Sequence, residues 1–123
     1  MENLLVLVVD DNLVSRLLPG FILKAFDSHI QVFECENGHA ALDLLSSHHI
    51  THVLLDISLP DLDGIQVAKQ IRAIPTLKHV KLIAYTADVN SVLNYRMKSN
   101  GFDGVLLKPP CREDLLKALG VFP

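Results

Sequence analysis

Only two of the 123 residues are cysteines, Cys35 and Cys111, and they form no Cys-x-x-Cys pair. That speaks against a disulfide framework and fits a reducing cytosol. Basic charge is not in excess either: 11 Lys and Arg stand against 14 Asp and Glu, for a formal net charge of -3. With no basic stripe, nucleic acid is not expected as a direct partner. Long apolar runs are missing too. Leu4–Val9 is only six residues long, follows Glu2 and ends at Asp10-Asp11. A signal peptide needs a basic start and a longer apolar core, and a membrane span needs about 20 apolar residues. A soluble, cytoplasmic protein with no membrane partner is therefore expected. There is no internal repeat, low-complexity tract or linker, and the length fits one domain over residues 1–123. Half of the residues are hydrophobic, enough for a sizeable core.

The present features alternate. Leu4–Val9 is a continuous apolar run and predicts a strand buried on both faces. Val14, Leu17, Leu18, Phe21, Ile22 and Ala25 follow at helical spacing and predict one inward face, with a kink at the interior Pro19-Gly20. Ile30–Glu34, His52–Leu55, Val80–Tyr85 and Val105–Leu107 predict four more strands. Helical patterns fall around Ala41–Ser47, around Ile65–Ile74 before Pro75, from Asp88 to about Ser99, and over Arg112–Leu119. Five strands alternating with five helices imply an α/β fold, a doubly wound five-stranded parallel sheet with helices on both faces.

The polar stops gather at one edge. Asp10-Asp11 ends the first strand, Asp56 the third, Thr86-Ala87-Asp88 the fourth and Lys108-Pro109 the fifth. Each alone has a bland reading: paired acids cap a helix, a lone Asp forms a turn, a Thr caps, a Lys is solvated. Together they bring acids, a hydroxyl and an ammonium to the C-terminal edge of the sheet, where open α/β sheets bind ligands. Clustered carboxylates repel, so a pKa rises unless a cation is present. Mg²⁺ fits best, because it takes one or two carboxylates and leaves room for a phosphate oxygen. Lys108 and Thr86 would face the remaining oxygens, and a carboxylate can itself be the nucleophile that forms an acyl phosphate. Asp56, being central, is the natural acceptor.

Four motifs now stand in order: V-V-D-D-N (Val8–Asn12), L-L-D-I-S-L-P-D-L-D-G (Leu54–Gly64), A-Y-T-A-D (Ala84–Asp88) and L-L-K-P (Leu106–Pro109). In this the chain resembles the receiver domain of bacterial two-component response regulators over essentially its whole length. The resemblance implies a flavodoxin-like strand order, 2-1-3-4-5. It implies that Asp56 accepts a phosphoryl group from a histidine kinase or a histidine phosphotransfer protein. Asp11 would ligate Mg²⁺ directly, Asp10 mostly through water, and Asp56 and the Ser58 carbonyl would complete the protein ligands. Thr86 and Lys108 would engage the phosphoryl group, and the Lys108–Pro109 bond would be cis. The output would be control of a downstream protein effector, or of a phosphorylation-dependent dimer, through the face made by the helix over 88–99, the last strand and the last helix.

One position departs from the pattern. The family usually has Tyr or Phe three residues before the lysine, and here Val105 stands there. A stiff β-branched side chain has little reach. Tyr85 and Phe102 are nearby aromatics, and neither is assigned that reporting role. The last helix is also short. Ser58 and Asp88, two residues after Asp56 and Thr86, would shape access of water to the acyl phosphate. His48, His49 and His52 read as solvated turn residues rather than a metal cluster, and the cysteines as ordinary, partly buried residues. With little chain beyond the last helix, no output domain is expected; the alternatives are a stand-alone receiver, which Met1 favours, or the receiver of a longer protein. The expectation is a switch and not an enzyme. A degenerate, phosphate-independent binding module and an aspartyl-phosphate hydrolase are the alternatives. Intact Asp10, Asp11, Asp56, Thr86 and Lys108 oppose the first, and the D-D-N ending of strand one opposes the second.

Overall fold

The computed structural model describes residues 4–88 and 100–121. Its strands are β1 (Leu5–Val9), β2 (Gln31–Cys35), β3 (His52–Leu55), β4 (Lys81–Thr86) and β5 (Gly104–Leu107). All pair in parallel, in the order β2-β1-β3-β4-β5. The described helices are α1 (Leu13–Phe26), α2 (Gly38–Ser47), α3 (Gly64–Ala73) and α4 (Arg112–Ala118), with a 3-10 turn at Pro75–Leu77. The expected count of five helices therefore becomes four among the described residues. The helix expected from Asp88 to about Ser99 lies outside them, save for Asp88 itself.

The sheet is a double-sided core. Leu7, Val9, Val53, Leu55, Leu82 and Ala84 pack with Ala41, Leu45, Val67, Ala68 and Ile71 from α2 and α3. Val6, Val8, Leu54, Ile83, Tyr85 and Leu106 pack with Leu23 of α1 and with Leu115, Leu116 and Leu119 in and just after α4. Full burial of a Val, Leu or Ile contributes about 1.5–3 kcal/mol relative to exposure. A strand as short as β3 is thus held by what covers its two faces rather than by its own propensity.

Helix α1 departs from its expected orientation. Val14 and Phe21 are 71% and 70% exposed, and the buried residues of the helix are Pro19 and Leu23. The helix carries apolar residues on more than one side, and the sheet selects the stripe with the proline. The helix continues through Pro19 to Phe26. Caps fix the other starts: Asn12, Asn37 and Asp63 accept from the backbone N–H of Ser15, Ala40 and Ile65.

Arg72, near the end of α3, ties the helix to the start of β4 and the approach to β5. Its guanidinium donates to the carbonyls of Gly101 (2.9 Å) and Val80 (2.7 Å) and pairs with Asp103 (2.7 Å). Asp103 in turn accepts from Leu82 N–H at 2.9 Å. Gly101 has φ +93, and a Cβ there would collide with the Arg72 stem. Arg72→Ala leaves these acceptors short of partners. It should cost about 2 kcal/mol, read as a lower urea midpoint at unchanged slope.

Candidate functional site

The sheet ladder continues one residue past the strand ends. Asp10 N–H donates to Cys35 O (3.1 Å), Asp56 N–H to Val9 O (3.0 Å) and Lys108 N–H to Thr86 O (2.8 Å). Side chains alternate along a strand. Asp10, Asp56 and Lys108 lie two residues beyond Val8, Leu54 and Leu106, which all face α1 and α4. All three polar groups therefore leave the sheet on that face, at its C-terminal edge.

They meet there. The Lys108 ammonium lies 2.6 Å from Asp10 Oδ2 and 3.1 Å from Asp56 Oδ2. Asp10 is fully buried, Asp56 nearly so, and Asp11 is exposed. One carboxylate oxygen from each of the three lies within 4.8 Å of the others. Asp10 Oδ1 accepts from Asn12 N–H, and the Asp10 carbonyl accepts from Arg16 Nη1 at 3.2 Å. Asp10 Oδ2 is buried and makes no hydrogen bond of good geometry; its contact with Lys108 is ionic. A buried, under-coordinated carboxylate oxygen beside two further carboxylates fits a hard cation such as Mg²⁺.

Burial pushes the Asp56 carboxyl above the ordinary aspartate range, against the opposing pull of the Ser58 N–H and of Lys108. Lys108 moves up as well: burial alone would lower it, but Asp10 and Asp56 more than offset that. The cluster is rich in negative charge and short of positive charge.

Thr86 is buried, and its Oγ1 accepts from Asp88 N–H at 3.0 Å; the Lys108 ammonium reaches the two aspartates instead. Ser58 is exposed, and its N–H donates to Asp56 Oδ1 at 2.9 Å. The Lys108–Pro109 bond is cis. Val105 is partly buried and packs against the α2–α3 core. His48 is exposed and tilts its ring against Phe33, and His52 meets Thr51; among the described residues the acidic trio is the only metal-capable group of three. Cys35 is buried and its thiol is pushed up to about 11 by that burial. Cys111, expected to be partly buried, is exposed; it caps α4, its thiol accepting from Asp114 N–H. A cavity of about 880 Å³, walled by Leu4, Phe26, His52, Lys81 and Leu119 among others, lies at the opposite edge of the sheet and holds none of the acidic cluster.

Three contributors escaped the sequence reading. Asp61 reaches across from the loop after Asp56 to the start of α2, accepting from Gly38 N–H (2.8 Å), His39 N–H (3.0 Å) and the His39 ring (2.6 Å). Burial works against its charge, yet these bonds hold its carboxyl well below the usual range. Arg16 links Asp10 to β2 through Glu34 and to Glu36 just beyond it, both at 3.5 Å. Tyr85 is fully buried, with Lys108 Nζ 5.0 Å from its ring centre. Asp61 stands in the D-L-D-G run and Tyr85 in A-Y-T-A-D, though neither motif names the partner; Arg16 carries no local signal.

The family model of the response regulator receiver domain matches residues 6–120. The chain belongs to that family. The polar-differentiation response regulator DivK of Brucella ovis is 31% identical over 104 residues, covering 85% of this chain and 83% of that protein. The signal transduction histidine-protein kinase BarA of Escherichia coli is 30% identical over the same share of this chain, which spans only 11% of the kinase. The same 11% holds for BarA of Shigella flexneri. Among solved structures, the chemotaxis response regulator CheY4 of Vibrio cholerae superposes with a TM-score of 0.86 at 25% identity, covering 97% of this chain and 98% of that one. In a receiver, the pocket of Asp10, Asp11 and Asp56 fits a phospho-acceptor site.

Two expectations follow. A Cβ on Gly64 would strike the Asp56 carbonyl and lie 2.5 Å from Ile57 Cα. Gly64→Ala should therefore displace the backbone of Asp56 and cost about 1–3 kcal/mol, read by thermal unfolding. For Asp56 the folded pKa is raised, so the fold disfavours its charged form. That penalty is present above the raised pKa and vanishes as pH falls through it. Asp56→Asn should raise Tm at neutral pH, and the gain should shrink on acidification; a lower Tm in the variant at pH 7 would contradict this.

Proposed function

We propose that this receiver is a phosphorylation-controlled switch in which Asp56 is the acceptor. The observation that carries the reading is the placement of Asp56: one oxygen fixed by Ser58 N–H, the other facing Lys108, with Asp10 and Asp11 beside it. The donor is a phosphohistidine on a kinase or a phosphotransfer protein. An Asp56 oxygen attacks phosphorus, the phosphorus–nitrogen bond breaks, and the histidine ring leaves with its electron pair. Asp10, Asp11, Asp56 and the Ser58 carbonyl would hold Mg²⁺, which when bound supplies charge neutralisation for the phosphoryl oxygens. Lys108 pairs with the transferred group, and its raised pKa keeps it charged for that task. Thr86 supplies a hydroxyl close by, which must leave Asp88 N–H to reach the phosphoryl group.

The added charge, about -1.5 to -2, is the signal. It acts on a downstream protein effector, in the cytoplasm, through the β5 and α4 side of the domain. Exposed Leu13, Val14 and Phe21 on α1 give an apolar surface on the helix that begins beside the acidic cluster, suited to the phosphoryl donor. The role is that of a switch that turns over its own phosphoryl group, rather than an enzyme acting on many substrates. Phosphate independence is disfavoured by the complete set of Asp10, Asp11, Asp56, Thr86 and Lys108.

The test is direct. With Mg²⁺ and a small acyl phosphate, intact mass should rise by one phosphoryl group, and Asp56→Asn should abolish the rise. No gain at any donor concentration would sink the reading. Asp11→Ala should weaken Mg²⁺ binding by about tenfold or more, measured by calorimetry; unchanged affinity removes Asp11 from the site.

A further inference from the structure

Tyr85 is the residue before Thr86 on β4, and it has no exposed surface. Its hydroxyl donates to the carbonyl of Ser15 at 2.9 Å, across 70 positions of sequence. Ser15 lies four residues before Pro19. A helical carbonyl is normally met by the N–H four residues on, and a proline has none to give. The Ser15 carbonyl is thus left short by the helix itself, inside the face of α1 that packs on the sheet. The tyrosine hydroxyl takes the missing place. The other side of the same ring system serves the site: the Lys108 ammonium lies 5.0 Å from its centre while bridging Asp10 and Asp56.

We infer that Tyr85 is a positioning residue that supports Lys108 and couples the charge state of Asp56 to helix α1 at Ser15–Pro19. This rests on Asp56 being the acceptor. The ring is fixed at one end by a buried hydrogen bond and carries the ammonium on its face. When Asp56 gains a phosphoryl group, Lys108 is drawn to new oxygens and its hold on Asp10 changes. The ring cannot follow without pulling on the Ser15 carbonyl. Helix α1 then feels the site through a side chain, as well as through the loop of Asp10–Asn12. Val105 lacks the reach for the usual aromatic report; Tyr85 offers a different route, to a different face.

The experiment compares wild type, Tyr85→Phe, Tyr85→Leu and the double variant Tyr85→Phe/Pro19→Ala, each with Mg²⁺ and with or without a small acyl phosphate. Intact mass gives the phosphorylation rate, and hydrogen exchange gives protection of the α1 amides. In wild type, phosphorylation should change exchange over residues 16–23 by at least about twofold, beyond the noise of a well-protected helix. Tyr85→Phe keeps the ring, so it should phosphorylate within about threefold of wild type, yet lose the exchange response. Tyr85→Leu removes the ring, so its phosphorylation rate should fall further. In the double variant the Pro19→Ala change supplies a backbone N–H to the Ser15 carbonyl, so thermal stability should recover while the exchange response stays lost. Phosphorylated wild type with unchanged α1 exchange overturns the inference alone. So does a response that survives in Tyr85→Phe or returns in the double variant, which would make the bond merely structural. If no phosphoryl group is gained by wild type, the acceptor reading fails and takes the inference with it.

Discussion

One ammonium lies between two buried carboxylates. At about 3 Å and an effective dielectric of 20, each such pair is worth roughly 5 kcal/mol of attraction, while removing each ion from water costs several kcal/mol. The terms are of one size, so neither settles the site alone. The directions of the shifts show how the balance falls. Lys108 moves up because anions surround it, and Asp56 moves up because burial outweighs the help it receives. With three carboxylates and one ammonium, the cluster is two positive charges short. A site left so can be relieved by a dication, and it can respond strongly when a phosphoryl group adds more negative charge.

Much of the surrounding chain maintains that imbalance at a fixed place. The polar groups must arrive at one edge, and the parallel register brings them there, with Val9 opposite Leu55, Leu55 opposite Ala84 and Thr86 opposite Leu107, between two sealed apolar faces. Gly64 lets the first turn of α3 lie against the backbone of Asp56, which a methyl group would prevent. Asp61 anchors the intervening loop to α2, and Arg16 holds the Asp10 carbonyl while facing two glutamates on the β2 side. These contacts come from four different elements. They limit how far the acidic cluster can relax by spreading apart, which is the cheaper response available to carboxylates on a free loop.

The strands and the polar edge were legible in the sequence. Strands buried on both faces read as unbroken apolar runs, and Asp10, Asp56, Thr86 and Lys108 each interrupt one. Boundaries moved by a residue or so. What stayed hidden has a common cause. The inward face of α1 differs from expectation at Val14 and Phe21, because a helix rich in apolar residues on several sides does not reveal which side the sheet will take. Arg72 and Tyr85 act on partners 29 and 70 positions away, and no local pattern announces such bonds. Pro19 did leave a trace: an interior proline implies a carbonyl four residues earlier that needs a donor. The trace names the need but not the residue that meets it.

That need makes two distant positions answer for one another. A side chain other than proline at position 19 would bring a backbone N–H that competes for the Ser15 carbonyl and would leave the Tyr85 hydroxyl in search of another acceptor in a dry interior. Phenylalanine at 85 would leave the carbonyl bare. Each substitution alone passes through a worse protein than either end point. Descendants of this chain should therefore keep both residues or exchange both, and a tally of paired changes at 19 and 85 would carry a trace of the contact without any structure in hand.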